Sequence, residues 1–157
     1  MEQIGTGIFI GVLGTLVMDL GNLLLARSGM IARIDMRILG RMAAGWMAGR
    51  FVYGHPDEMK PVSHERLLGL LTHYCIGIGL SMMFVLLWGL FIGGPLSAIW
   101  ILVYGIGTTA ASHFLVYPSM GCGVFGLKSP DGFRSTYSSL ANHFFFGAGM
   151  ALAVLLL

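Results

Sequence analysis

The chain has 157 residues, of which 56% are hydrophobic and only 10% are charged, and its formal net charge is +2. A soluble domain carries roughly 25% charged residues. This composition excludes an ordinary soluble domain and indicates an integral membrane protein, and the length suits one membrane domain over residues 1–157.

Four long apolar stretches predict an all-α fold, a four-helix bundle that crosses the membrane. The predicted spans cover residues 4–25, 67–92, 96–117 and 137–157, and each is near the roughly 20 residues that a spanning helix needs. The first span lacks the basic flank and the small-residue cleavage site of a signal peptide, so we expect it to be retained.

Small and polar residues mark two surfaces of the first span. Gly7 and Gly11 are four residues apart, and such small-residue pairs let helix backbones approach closely in lipid. Asp19 and Asn22 are three residues apart and share a face. Because a carboxylate inside a membrane needs a partner, Asp19 is a candidate functional residue.

The connector at 26–66 predicts an amphipathic helix on the membrane surface. Basic and apolar residues both recur at helical spacing in it, namely Arg33, Arg37 and Arg41 beside Ile31, Ile34, Ile38 and Met42. This pattern is typical of a helix that lies on an anionic leaflet, which makes the bilayer and its anionic lipids the expected partners. We expect no nucleic-acid partner.

One ionisable side chain falls inside each of the four predicted spans. These residues are Asp19, His73, His113 and His143. In helices of alternating direction they lie at one level, about 6 to 9 Å from the helix end at about 1.5 Å per residue. Ionisable groups inside a membrane usually face the bundle interior and mark a functional site.

The first hypothesis for this level is a metal site. Three imidazoles and a carboxylate, one from each helix of a bundle, suit a divalent ion such as Zn²⁺ or Fe²⁺. Asn22, Thr109 and Ser139 would then orient the imidazoles.

Other hypotheses remain open beside the divalent site. Softer ligands would favour Cu(I), and these are Met120, Cys122 and His113, with Met18 nearby. A proton relay or a small proton-coupled transporter, assembled as a homo-oligomer, would also place histidines and an aspartate at one depth. In a third hypothesis the histidines only pack helices, through hydrogen bonds worth about 0.6 kcal/mol each.

The distribution of charge predicts the orientation. All nine Lys and Arg residues lie in the first and third connectors, and none lies at the termini or in the second connector. The positive-inside rule places these two connectors in the cytoplasm and both termini outside it.

Several short motifs, taken in order, resemble a known family. They are Gly14-Thr15-Leu16-Val17-Met18-Asp19, Gly40-Arg41, Gly49-Arg50-Phe51, Glu65, His73-Tyr74 with Gly77, Tyr117-Pro118-Ser119-Met120-Gly121-Cys122-Gly123, and His143 with Phe146-Gly147. Together they resemble an uncharacterised bacterial membrane-protein family known as domain of unknown function 2938. Met42 stands where that family commonly has tryptophan. The resemblance implies a bacterial inner-membrane location and no particular activity.

Overall fold

The structure, a computed structural model, describes residues 2–157. Its five helices are α1 (Glu2–Arg27), α2 (Met36–Met47), α3 (Glu65–Phe91), α4 (Ala98–Ser119) and α5 (Phe133–Leu155). No strand occurs within residues 2–157, which confirms the all-α class. α1, α3, α4 and α5 are each long and apolar enough to cross a membrane, as in a multi-pass membrane protein.

The four long helices pack as a bundle whose spacing is set by glycines. α1 lies between α3 and α5, and α4 packs on α5. A Cβ added to Gly105 of α4 would lie 2.3 Å from the Cα of Gly147 on α5, and a Cβ on Gly11 would lie 2.2 Å from Ser81 Oγ on α3. The small-residue surface predicted in α1 is therefore a packing surface.

We call the two ends of the bundle the basic end and the far end. At the basic end α1 and α4 finish and α3 and α5 begin, and all nine Lys and Arg residues lie there, in the connectors or in the helix ends beside them. At the far end an apolar core fills the bundle, and its fully buried members include Ile10, Ile101, Phe146 and Met150.

The connector helix α2 packs on α3 with its backbone in close approach. Leu39 and Met42 are buried in a cluster with Met59. Gly40 faces Gly69, and a Cβ on Gly69 would lie 1.8 Å from the carbonyl oxygen of Met36. Much of the apolar face of α2 therefore covers protein.

The predicted arginine stripe is only partly helical. Asp35 caps α2 by accepting a hydrogen bond of 2.8 Å from the Arg37 amide, so the helix begins at Met36 and Arg33 precedes it. Arg41 is held by Glu65 through two hydrogen bonds of 2.6 and 3.1 Å. Arg33, Arg37 and Arg41 therefore do not form one basic surface.

α4 contains a wide turn near its basic end. The Tyr117 amide donates to the Ser112 carbonyl oxygen, five residues back, so residues 112–116 are π-helical. Pro118 has no N–H to donate, yet the helix continues to Ser119 instead of ending before the proline. Wide turns of this kind occur often at functional sites.

Candidate functional site

A cavity of about 1100 Å³ lies between α3 and α4 and opens toward the basic end. Near the far end the two helices are joined by Tyr104, which donates to the Leu80 carbonyl oxygen at 2.8 Å and packs on Phe84. The backbones of α3 and α4 otherwise make few contacts with each other. α1, α5 and the connector at 26–39 complete the wall.

The mouth of the cavity is rich in arginine. Its charged residues are Arg33, Arg37, Arg66, Arg134, Asp35 and Asp131. Arg37 pairs with Asp35 at 3.0 Å, and Arg134 donates to the carbonyl oxygen of Ile31 at 2.9 Å. Within residues 2–157, no carboxylate lies within 4.0 Å of Arg33 or Arg66. Two guanidinium charges at the mouth are therefore uncompensated.

His73 lies on the cavity wall and is paired with Asp19. Its Nε2 is 2.9 Å from Asp19 Oδ1, and the Tyr74 hydroxyl donates to Asp19 Oδ2 at 3.2 Å. The side chains of His73 and Asp19 are 11% and 25% exposed. No group in the described part of the chain hydrogen-bonds to His73 Nδ1. One ring nitrogen is thus bonded to Asp19 while the other remains available.

His143 also lines the cavity, but both of its ring nitrogens are bonded. Nδ1 is 2.7 Å from Thr108 Oγ1, and Nε2 is 2.8 Å from Ser112 Oγ. The Thr108 hydroxyl donates to the Gly105 carbonyl oxygen, so it accepts from Nδ1–H. In the neutral imidazole Nε2 accepts from the Ser112 hydroxyl, so that both ring nitrogens are satisfied with a single ring proton.

His113 is separate from the other two histidines. It lies in the π-helical turn, where its Nε2 donates to the Thr136 carbonyl oxygen at 3.3 Å. Its ring packs against Tyr117 and Phe125, with centroid distances of 5.9 and 5.1 Å. His113 therefore packs the loop before α5 and does not line the cavity.

Several residues of the sequence motifs form or line this site. Asp19, His73 and Tyr74 form the hydrogen-bonded group, and Cys122 and His143 line the cavity. Over residues 8–157 the chain matches the family described as protein of unknown function (DUF2938). The chain belongs to this family. No curated protein and no solved structure matches it.

The structure does not bring the four predicted metal ligands together. Asp19 and His73 meet, whereas His143 and His113 are bonded elsewhere. No group of three or more His, Cys, Asp or Glu in the described residues is arranged to hold a metal ion. The divalent-metal site stays a prediction, without geometric support in this arrangement.

The structure also does not bring all of the ligands predicted for Cu(I) to the cavity. Met18, Met120 and Cys122 line the cavity, but His113 does not. Burial raises the pKa of the Cys122 thiol to about 11, so this side chain is a thiol at neutral pH. The Cu(I) hypothesis likewise stays a prediction.

The groups predicted to orient the imidazoles have other partners. Asn22 bonds to Asn142 and to the backbone at Ala32, which fixes the connector, and Thr109 donates to the Ile106 carbonyl oxygen. Ser139 lies buried on the cavity wall. The hydroxyls that hold His143 are those of Thr108 and Ser112, which the sequence reasoning did not assign to it. Their spacing of four residues on one helix face was the available signal.

Proposed function

We propose that this DUF2938 protein is a small proton-coupled carrier, in which the cavity takes up a solute and the Asp19–His73 pair takes up a proton. The observation that carries the proposal is the hydrogen bonding of His73. One ring nitrogen is bonded to Asp19, and the other, on a residue of the cavity wall, has no bonding partner in the described chain. His143 has both ring nitrogens bonded, and His113 bonds a backbone carbonyl oxygen and does not line the cavity. His73 is the histidine that both lines the cavity and pairs with a carboxylate.

The proton arrives at Nδ1 of His73. The Nε2–H already donates to Asp19, so protonation gives an imidazolium beside a carboxylate, joined by a charge-assisted hydrogen bond. The Tyr74 hydroxyl, which donates to the second carboxylate oxygen, stabilises Asp19 as an anion. The paired carboxylate lowers the cost of a positive charge at membrane depth. Besides the charged residues of the mouth, the ionisable groups of the wall are His143 on α5, which is already satisfied, Tyr117 and Cys122.

The orientation follows from the charges at the basic end. We place the protein in the bacterial inner membrane, with the basic end in the cytoplasm and both termini outside, because all nine Lys and Arg residues lie at that end. Arg33 and Arg37 are exposed there and would contact anionic head groups, whereas Arg41 is engaged by Glu65. A homo-oligomer would supply the further helices that a transport pathway needs.

A pH-jump experiment tests the proton-carrying pair without a known solute. Proteoliposomes adsorbed on a supported membrane should show a transient charge displacement when the external pH is lowered, because protons enter the cavity and bind His73. His73→Gln, which keeps a hydrogen-bonding side chain but does not titrate, should reduce this charge at least tenfold. Asp19→Asn should do the same by removing the counter-ion.

The matched control is His55→Gln, which removes an exposed histidine outside the cavity. It should retain the wild-type charge displacement. Equal displacement in wild type and His73→Gln, or none in wild type, would contradict the proposed function.

A further inference from the structure

We infer that the ligand of the cavity is an amphipathic anion whose acidic head group binds Arg33 and Arg66 and whose apolar part extends toward the far end. The inference rests on the proposed function insofar as it assumes that this cavity takes up a solute. It adds the chemical class of that solute. Three features of the wall support it, and they lie at successive depths.

The mouth selects the sign of the charge. The two arginines without a carboxylate partner, Arg33 and Arg66, come from the connector and from the start of α3, so they approach the mouth from different elements. Between low-dielectric walls, uncompensated charges focus the field and attract the opposite charge. Guanidinium groups bind carboxylate and phosphate oxygens in a two-pronged geometry. A cation would meet repulsion at the same place.

The middle of the cavity is polar without further free charge. Hydroxyl and amide side chains line this level, namely Ser112, Ser138, Ser139 and Asn142, together with His73 and His143. Such groups orient polar atoms adjacent to a head group. They do not require a second charge on the ligand.

The bottom of the cavity is apolar. Ile76 and Leu80 of α3 line it, and from Arg66 to Ile76 the helix axis rises about 15 Å at about 1.5 Å per residue. Ile76 and Leu80 are partly exposed, whereas Met18 and Phe146, at 7% and 1% exposure, are core residues that close the end of the cavity. A small inorganic anion would leave this apolar surface uncovered, whereas an alkyl chain would bury it at roughly 25 cal/mol per Å².

The size of the cavity agrees with an organic ligand. Its volume of about 1100 Å³ lies just above the usual range for small-molecule sites. An alkyl chain with a phosphate or carboxylate head fits the order of groups from mouth to bottom. A membrane lipid and a soluble acyl acid or alkyl phosphate share this chemistry, and the choice between them is made by experiment.

Calorimetric titration of the purified protein in neutral detergent tests the ligand class. The probes are octyl phosphate, butyl phosphate, inorganic phosphate and octyltrimethylammonium. Octyl phosphate should bind at least tenfold more tightly than butyl phosphate or inorganic phosphate, because only its chain is long enough to approach Ile76. The double variant Arg33→Gln/Arg66→Gln should weaken octyl phosphate binding at least tenfold. Lys60→Gln/Lys128→Gln, which also removes two positive charges but at exposed sites outside the cavity, should change it less than twofold.

Further measurements distinguish a lipid ligand from a soluble one, and a failure of the ligand class from a failure of the proposed proton-coupled function. The protein is reconstituted in phosphatidylcholine alone or with 20% phosphatidylglycerol. If the ligand is an anionic lipid, phosphatidylglycerol should weaken the binding of octyl phosphate; if the ligand is soluble, binding should be equal in the two membranes. Both results support an amphipathic anion. Equal binding of octyltrimethylammonium, equal binding of inorganic phosphate, or no effect of the double variant would overturn it. If the pH-jump charge persists while octyl phosphate fails to bind, only the ligand class is overturned.

Discussion

Gly69→Ala should detach α2 from α3 and lower the free energy of unfolding by about 3 kcal/mol, at the upper end of what overpacking costs. The added Cβ would lie 1.8 Å from the Met36 carbonyl oxygen and 2.7 Å from its carbonyl carbon. These are backbone atoms, so no rotamer change relieves the overlap. The helices must separate, which also loosens the ion pair between Arg41 and Glu65. Equilibrium unfolding in mixed micelles measures the change.

The matched control for this substitution is Gly79→Ala on the same helix. A Cβ at Gly79 meets nothing within 4 Å, and alanine is favoured over glycine in a helix interior by about 1 kcal/mol. Gly79→Ala should therefore leave stability unchanged or raise it slightly. Trypsin should cleave the connector faster in Gly69→Ala and not in Gly79→Ala. Equal stability of the two variants would show that α2 does not pack on α3 as described.

Removing either member of the Asp19–His73 pair should destabilise the protein, and removing both should cost less than the sum. Both side chains are largely buried and bonded at 2.9 Å. Hydrogen bonds to charged groups contribute about 1.5–3 kcal/mol, so we expect a coupling energy of this size between Asp19→Ala and His73→Ala. Unfolding of the wild type, the two single variants and the double variant gives this energy.

A second cycle with His113→Ala in place of His73→Ala serves as the control. His113 shares no hydrogen-bonding partner with Asp19 and lies on α4, which does not pack on α1. The effects of Asp19→Ala and His113→Ala should add within about 0.5 kcal/mol. Coupling of the same size in both cycles, or of zero in the first, would contradict a specific Asp19–His73 pair.

The fold class was accessible from sequence because it depends on composition over long windows. About 20 apolar residues suffice to predict each span, and the four long helices follow. Local hydrogen bonding decides where the helices begin and end. The π-helical turn lets α4 continue past Pro118. The Asp35 cap starts α2 at Met36, so Arg33, which the regular spacing of the arginines had included in the helix, lies before it.

The candidate site could be predicted only in part from the sequence. Position along a helix follows from residue number, which placed Asp19 and His73 at one level and indicated a functional group there. Rotation about the axis depends on how the helices pack. Glycine contacts such as Gly105 on Gly147 set that packing, so the hydroxyls of α4 face His143 and leave His113 against Phe125. The cavity arises from the separation of α3 and α4, which no local pattern predicts.

The most direct test of a cavity that opens at the basic end is cysteine labelling on α3. Ile76 lines the cavity, whereas its neighbour Cys75 is exposed outside it. In a Cys122→Ser background, an anionic, membrane-impermeant thiosulfonate applied to the basic end should modify Ile76→Cys (with Cys75→Ser) at least tenfold faster than native Cys75. A cationic reagent of the same size should be slower at Ile76→Cys, because Arg33 and Arg66 lie at the mouth. Equal rates at positions 75 and 76, or modification of Ile76→Cys only from the far end, would contradict the account.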